Sequence, residues 1–176
     1  QAVNVYLFDA ASSTVELVSV PDGGVDAATA GGALWPTLAS ISHDGHWIAF
    51  SSTASDLAGG DTNGAADIFV HDSEAGTNLN VSLACGPVGT RLGPSFRPAI
   101  SRDARWLAGE TILDSVPAPR GLDTAFSLVA CDLVERTNLL IANLGKAGVV
   151  SRVALSSNGL FLAFQSKGTN AQPVAN

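Results

Sequence analysis

Basic residues are scarce in this sequence. Nine lysines and arginines face 16 aspartates and glutamates, a net charge of −7 with no basic run anywhere. That balance argues against an electrostatic grip on nucleic-acid phosphates and disfavours anionic membrane surfaces for the same reason. Long apolar runs are missing too. Apolar residues make up 46% of the chain, yet no stretch approaches the roughly 18 residues that would suggest a membrane span, so a soluble protein is expected. Methionine is absent altogether, and the first eight residues lack the basic start and apolar middle of a signal peptide, so the chain reads as a processed or excised segment. Cys85 and Cys131 permit at most one bridge. With no CxxC and no Cys/His cluster there is no zinc signature and no expected cofactor, and cysteine usage leaves both the bridge and the compartment open.

What is present is a repeat. The segment Ser42-His43-Asp44-Gly45-His46-Trp47-Ile48-Ala49-Phe50 recurs as Ser101-Arg102-Asp103-Ala104-Arg105-Trp106-Leu107-Ala108-Gly109 and as Ser156-Ser157-Asn158-Gly159-Leu160-Phe161-Leu162-Ala163-Phe164. A second anchor, an apolar run ending in aspartate, recurs as Val5-Tyr6-Leu7-Phe8-Asp9, Ile68-Phe69-Val70-His71-Asp72 and Leu128-Val129-Ala130-Cys131-Asp132. Each anchor is followed by a β-prone stretch, starting at Thr14, Thr77 and Thr137 and ending at Val20, Leu83 and Ala142. Internal periods of this length mark repeat architectures.

Each unit reads as four short strands. Asp44-Gly45 between two apolar runs is a hairpin signal, and helical spacing of apolar residues is sustained nowhere. Trp47-Ile48-Ala49-Phe50 is apolar at successive positions, so both faces of that strand need cover. Four-stranded sheets packed between neighbours supply it, as in a propeller; a β-sandwich would alternate more cleanly and ranks second. The expected fold is therefore all-β: a β-propeller portion of about three four-stranded blades in a single segment, 1–176. Its units are 36–83, 97–142, and one split between the termini as 1–20 plus 151–176.

These residues resemble the repeat of TolB-like propellers, through Ser-x-Asp-Gly-x-Trp-Ile-Ala-Phe followed by Asp-Ile-Phe-Val-x-Asp, over essentially the whole chain. The second copy departs from the pattern at Ala104 and Gly109, which puts the local turn and packing in question, and the third copy lacks its downstream half. The resemblance implies a structural role for the Ser-x-Asp-Gly turn. It further implies a periplasmic or extracellular protein, either an interaction scaffold or a non-catalytic propeller beside a peptidase domain.

Catalytic chemistry finds little support. No GxSxG presents a nucleophilic serine, and His43 and His46 flank a turn while His71 sits in a strand. Ser42-His43-Asp44-Gly45 is one residue short of the turn found in sialidase-type glycosidases, and the only tyrosine, Tyr6, reads as core within an apolar strand. Trp47, Trp106 and Phe161 hold one repeat position and read as fillers between units rather than a stacking ladder. Asp61, Asn63 and Asp67 place oxygens at spacings reminiscent of a calcium loop, but Ala65 and the lack of a following glutamate leave it two ligands short. A turn at Asn63-Gly64 is the favoured reading, and calcium is not expected to be required for folding. The Asn80-Val81-Ser82 sequon falls inside an expected strand.

Antiparallel connection puts tight turns on one face and long loops on the other: 52–66, 110–124, 21–35 and 84–97. Long loops on a rigid scaffold are where binding residues gather. The expectation is a non-catalytic scaffold binding a protein or a carbohydrate there, with Arg91, Arg97 and Arg120 as ligand-binding candidates; the rival is the propeller part of a secreted hydrolase. About three blades are too few to close, so the remaining blades are expected from a parent chain or from a second copy forming a homodimer.

Overall fold

The computed structural model describes residues 3–21, 24, 38–85, 92–113, 125–145, 148–167 and 172–173. Strands β1 (Tyr6–Asp9) and β2 (Thr14–Leu17) form a hairpin. Strands β3 (Ser40–Ile41), β4 (Trp47–Ser52), β5 (Asp67–Asp72) and β6 (Thr77–Asn80) form an antiparallel meander, closed by the single helical turn α1 (Val81–Ala84). Strands β7 (Leu92–Ile100), β8 (Trp106–Leu113), β9 (Ala125–Asp132) and β10 (Thr137–Gly145) form a second meander. Strands β11 (Val150–Leu155) and β12 (Leu162–Ser166) make a last hairpin, and the two-residue β13 (Gln172–Pro173) adds to the outer edge of β10.

The turns repeat atom for atom. At each β-hairpin between first and second strands, a serine hydroxyl donates to a carboxylate or amide oxygen two residues on: Ser42 to Asp44 at 2.5 Å, Ser101 to Asp103 at 2.6 Å and Ser156 to Asn158 at 2.8 Å. The same hydroxyls accept from the backbone N–H of Trp47, Trp106 and Phe161, and the same Asp or Asn oxygens accept from His46, Arg105 and Leu160. The fourth turn residue needs a positive φ, met by Gly45 at 77° and Gly159 at 68°, and also by Ala104 at 56°. The departure at Ala104 therefore leaves the turn intact and places a Cβ in a conformation that costs about 1–2 kcal/mol. The anchor aspartates form a second repeated turn: Asp9, Asp72 and Asp132 each accept from the N–H two residues on.

Apolar layers alternate with the sheets. Val5 and Val18 of the first hairpin pack with Ile48, Phe50 and Phe69, whereas the intervening Ala49, Ile68 and Val70 face Ile100, Leu107 and Cys131 of the second meander. Leu128, Ala142 and Leu144 in turn meet Val150, with Val153 and Leu162 alongside. Neighbouring residues of β4 and β5 thus enter different layers, which is why their sequence is continuously apolar. Gly109, the other departure, lies where a Cβ would meet Ile68 Cδ1 at 2.5 Å. A side chain is missing there because the neighbouring sheet already fills the space.

Cys85 and Cys131 are bridged, with Cα atoms 6.0 Å apart, joining the end of the first meander to β9 of the second. That geometry depends on a departure from expectation. The strand expected from Thr77 to Leu83 stops at Asn80, because Ser82 Oγ accepts the Ile68 N–H and one helical turn follows, with Cys85 N–H bonding Val81 O. Three further expectations are corrected. Tyr6 is 59% exposed rather than core, and Phe161 is 74% exposed rather than a filler; each lies on a two-stranded hairpin that, among the described residues, has no further strand paired to it. Residues 172–173, assigned to the split unit from sequence, pair instead with β10.

Candidate binding face

The connections divide between two faces. Residues 10–13, 42–46, 73–76, 101–105, 133–136 and 156–161 form the tight turns of one face. Two backbone bonds stitch successive turns together on this face, His43 N–H to Arg102 O at 3.1 Å and Asp103 N–H to Ser157 O at 3.2 Å. Across each complete meander, the fifth turn residue reaches the anchor aspartate: His46 Nε2 lies 2.8 Å from Asp72 Oδ1, and Arg105 Nη2 lies 2.9 Å from Asp132 Oδ2. The Arg105 guanidinium holds the Asp132 carboxyl below the usual carboxylate range, and the Ser42 and Ser101 hydroxyls do the same for Asp44 and Asp103. The serine hydroxyls and Asp or Asn oxygens of these turns are bonded within the repeat itself, which suits a scaffold turn.

The opposite face carries the β4–β5 connection, residues 53–66, which packs down through Ala54, Leu57 and Ala58. Its polar end joins the three residues of the calcium-like spacing. Asn63 Nδ2 donates to Asp67 Oδ2 at 2.9 Å, Asn63 Oδ1 accepts from Ala65 N–H at 2.7 Å, and Asp61 Oδ1 accepts from Asn63 N–H. The asparagine amide is thus used at both ends to close a turn on the first residue of β5. Asp67 is fully buried. Burial pushes its carboxyl up to about 6, the Asn63 amide offsets part of that, and the neighbouring Asp61 charge adds to it. Among the described residues, no three histidine, cysteine or acidic side chains gather as a metal cluster.

Arg97, expected at the end of the 84–97 loop, lies within strand β7 instead, and it is not a bare cation. β7 bulges between Phe96 and Ala99 in its pairing with β8, Arg97 takes φ 54°, and its guanidinium lies 2.5 Å from Glu110 Oε2. Glu110 is buried and spends its other oxygen on the Val150 N–H at 3.1 Å, tying the second meander to β11. Burial raises the Glu110 carboxyl, while the Val150 N–H and Arg97 pull it back down. The signal for this pair was in the sequence: one glutamate in the otherwise uncharged strand Trp-Leu-Ala-Gly-Glu-Thr-Ile-Leu demands a partner, since a lone buried carboxylate is costly. Ser95 joins the same region, its N–H bonding Ala66 O and its hydroxyl donating to Thr111 Oγ1 at 3.0 Å. Arg91 and Arg120 lie outside the described residues, as does most of 21–35 and 114–124.

The histidines are held in local contacts. His43 Nε2 meets Arg102 Nη2, His46 bridges Asp72 and Glu74, and the buried His71 bonds Asn78 Oδ1 through Nδ1.

No protein-family model matches the chain, and no curated protein matches it. Among solved structures the chain is similar to TolB from Acinetobacter baumannii, with 14% identity and a TM-score of 0.47, over 94% of this chain and 38% of that one. The chain thus spans well under half the length of that structure.

Proposed function

We propose that the four antiparallel sheets are about three blade-equivalents of a TolB-like β-propeller, working as a non-catalytic scaffold that binds a protein or a carbohydrate on its long-loop face. The observation that carries this reading is the contrast between the faces. On one, the serine hydroxyls and the Asp or Asn oxygens of the three turns are bonded in a threefold-repeated network. Away from it, side chains that do not recur from unit to unit sit on the strands: buried Asp67 opens β5, and buried Glu110 of β8 pairs with the partly exposed Arg97 of β7, the kind of irregularity that function imposes on a regular frame. The inter-sheet disulfide supports a periplasmic or extracellular setting, where such bonds persist.

Calorimetry against an identified protein partner or a panel of oligosaccharides tests the reading. Replacing Arg91 and Arg120 by alanine should weaken binding at least tenfold, whereas His43→Ala on the tight-turn face should leave it unchanged. Equal affinities for all three variants would sink the assignment of the face.

A further inference from the structure

The seam between the first hairpin and the first meander holds two titratable side chains that the other units do not repeat. His71 of β5 has Phe8 and Cys131 at its position in the other anchors, and Glu16 of β2 has Leu79 and Leu139 two residues after the matching threonines. Both face that seam. Phe69, two residues before His71 and so on the same side of β5, packs with Val5 and Val18 of the hairpin. Glu16, two residues before Val18, brings its Oε1 to 3.9 Å from His71 Nε2. His71 is 1% exposed whereas Glu16 is half exposed, so solvent protons reach the contact from the carboxylate side.

The neighbouring bonds decide which ring nitrogen of His71 carries its hydrogen. Asn78 Nδ2 donates to Val20 O at 2.7 Å, and a carbonyl accepts only from the nitrogen end of an amide, so the oxygen end is the one turned to His71. That oxygen lies 3.2 Å from Nδ1 and can only accept, which puts the hydrogen of the neutral ring on Nδ1. Nε2 is then a bare lone pair. It is buried and, among the described residues, has no hydrogen-bond partner; the group that faces it is a carboxylate, which when ionised has no hydrogen to give. Of the other elements against His71, β6 presents the neutral Asn78 and β4 sets Ile48 opposite it. The adjacent Asp72 lies on the other side of β5 and is taken by His46.

We propose that His71 and Glu16 are an acid-closed latch between the first hairpin and the first meander. A proton taken from solvent at Nε2 gives the ring a second N–H and a positive charge. The orphaned acceptor becomes a donor aimed at the Glu16 carboxylate, and a lone pair facing a negative charge becomes an ion pair. Asn78 holds Nδ1–H in both states, so the ring need not turn. Histidine changes charge between about pH 5 and 8, a range in which carboxylates are ordinarily ionised. The latch is therefore closed in mild acid, where it holds β1 and β2 more tightly on β5, and open above neutral pH.

Urea unfolding of the parent chain, Glu16→Gln, His71→Gln and the double variant tests this at about pH 5.5 and about pH 7.5, towards the two ends of the histidine range. Glu16→Gln should raise the unfolding constant about fivefold at the lower pH, the upper end for a partly exposed ion pair, and should not raise it at the higher. In the His71→Gln background the same substitution should act alike at both. Asp67, whose carboxyl is pushed up to about 6, titrates in the same range but is present in all four proteins and drops out of the comparison. Equal effects of Glu16→Gln at both pH values in the parent chain overturn the latch. Because His71→Gln can itself fail to fold, the ring nitrogen chemical shifts of His71 give a second readout. At about pH 8 they should place the hydrogen on Nδ1 alone, and in acid the Nε2–H should exchange more slowly in the parent than in Glu16→Gln. A hydrogen on Nε2 in the neutral ring overturns the proposal, since the orphaned acceptor would not exist.

Discussion

The two complete meanders, β3–β6 and β7–β10, share a polar skeleton and differ in what packs against it. Their turns place equivalent serine, aspartate and aromatic residues in the same bonds. Yet the first has Gly45, His46 and Phe50 where the second has Ala104, Arg105 and Gly109. The pattern of exchange is informative. His46 and Arg105 are different chemical solutions to one task, holding an anchor aspartate, whereas Phe50 and Gly109 are opposite solutions set by what the neighbouring sheet pushes into the space. Repeated hydrogen bonds fix the frame of each unit, and the seams between units are adapted one by one.

The seam between the meanders is where the comparison breaks most easily, because only there does a covalent bond add to packing. Cys85 and Cys131 close a loop with a sequence separation of 46 residues, and constraining an unfolded loop of that length stabilises a fold by about 2–4 kcal/mol. Replacing both cysteines by serine, or adding reductant, should therefore lower the melting temperature more than any single substitution described below. Thermal melts with and without dithiothreitol check this, and an unchanged transition would show that the seam holds by packing alone.

Next in size is the glycine that the seam requires. Gly109→Ala would drive a methyl into Ile68 Cδ1 and toward Phe96 O, 3.2 Å from the ideal Cβ position, and overpacking of this kind costs about 1–3 kcal/mol. Gly109→Ala combined with Ile68→Val should recover part of the loss, since the shorter side chain vacates the contact. Urea unfolding of the single and double variants measures the coupling.

Much of this was legible in the sequence because it is written in the repeat. Turn positions, strand order and the two-sided burial of β4 follow from residues recurring at matched spacings. The misreadings of Tyr6 and Phe161 share one cause: both occupy core positions of the repeat, but among the described residues no neighbour covers them. The one-turn helix at Val81 was hidden because β-prone residues continue through it, and only the pull of Ser82 on Ile68 N–H ends the strand. Arg97 looked like a bare loop cation because the clue to its pairing lies 13 residues away, in the lone glutamate of β8.

A smaller effect separates the long-loop faces of the two meanders by pH. Asp67 has its folded carboxyl raised from 3.8 to about 6, so its neutral form is the comfortable one. The stability it contributes is fully present below pH 3.8 and is lost as pH rises through about 6. A full two-unit shift corresponds to about 3 kcal/mol, and relaxation and water access reduce this to about 1–2 kcal/mol. Asp67→Asn should thus be more stable than the parent at pH 7 and equal to it near pH 4, when melting is followed across that range. Calcium or a chelator at pH 7 should leave the parent transition where it is; a large rise on adding calcium would instead make Asp61, Asn63 and Asp67 a cation site.

The smallest effect should have the opposite sign to the seam variants and sharpens the comparison at its most conserved feature, the turn. Ala104 adopts φ 56° at the position where Gly45 and Gly159 stand in the other two copies, and a Cβ in that left-handed region is strained against its own backbone. Glycine there relieves the strain but frees the unfolded chain, which takes back about 0.4–1 kcal/mol. Ala104 also packs against the apolar layer between the meanders, so some burial is lost with the methyl. The strain relief is the larger quantity at a half-buried position, and Ala104→Gly should stabilise the chain by about 0.5 kcal/mol, while Gly45→Ala, with nothing near its Cβ position to pack against, should destabilise it by about 1 kcal/mol. Paired denaturant titrations distinguish the outcomes. If both substitutions destabilise equally, burial at the seam outweighs turn strain, and the alanine in the second copy is a packing residue that the turn tolerates.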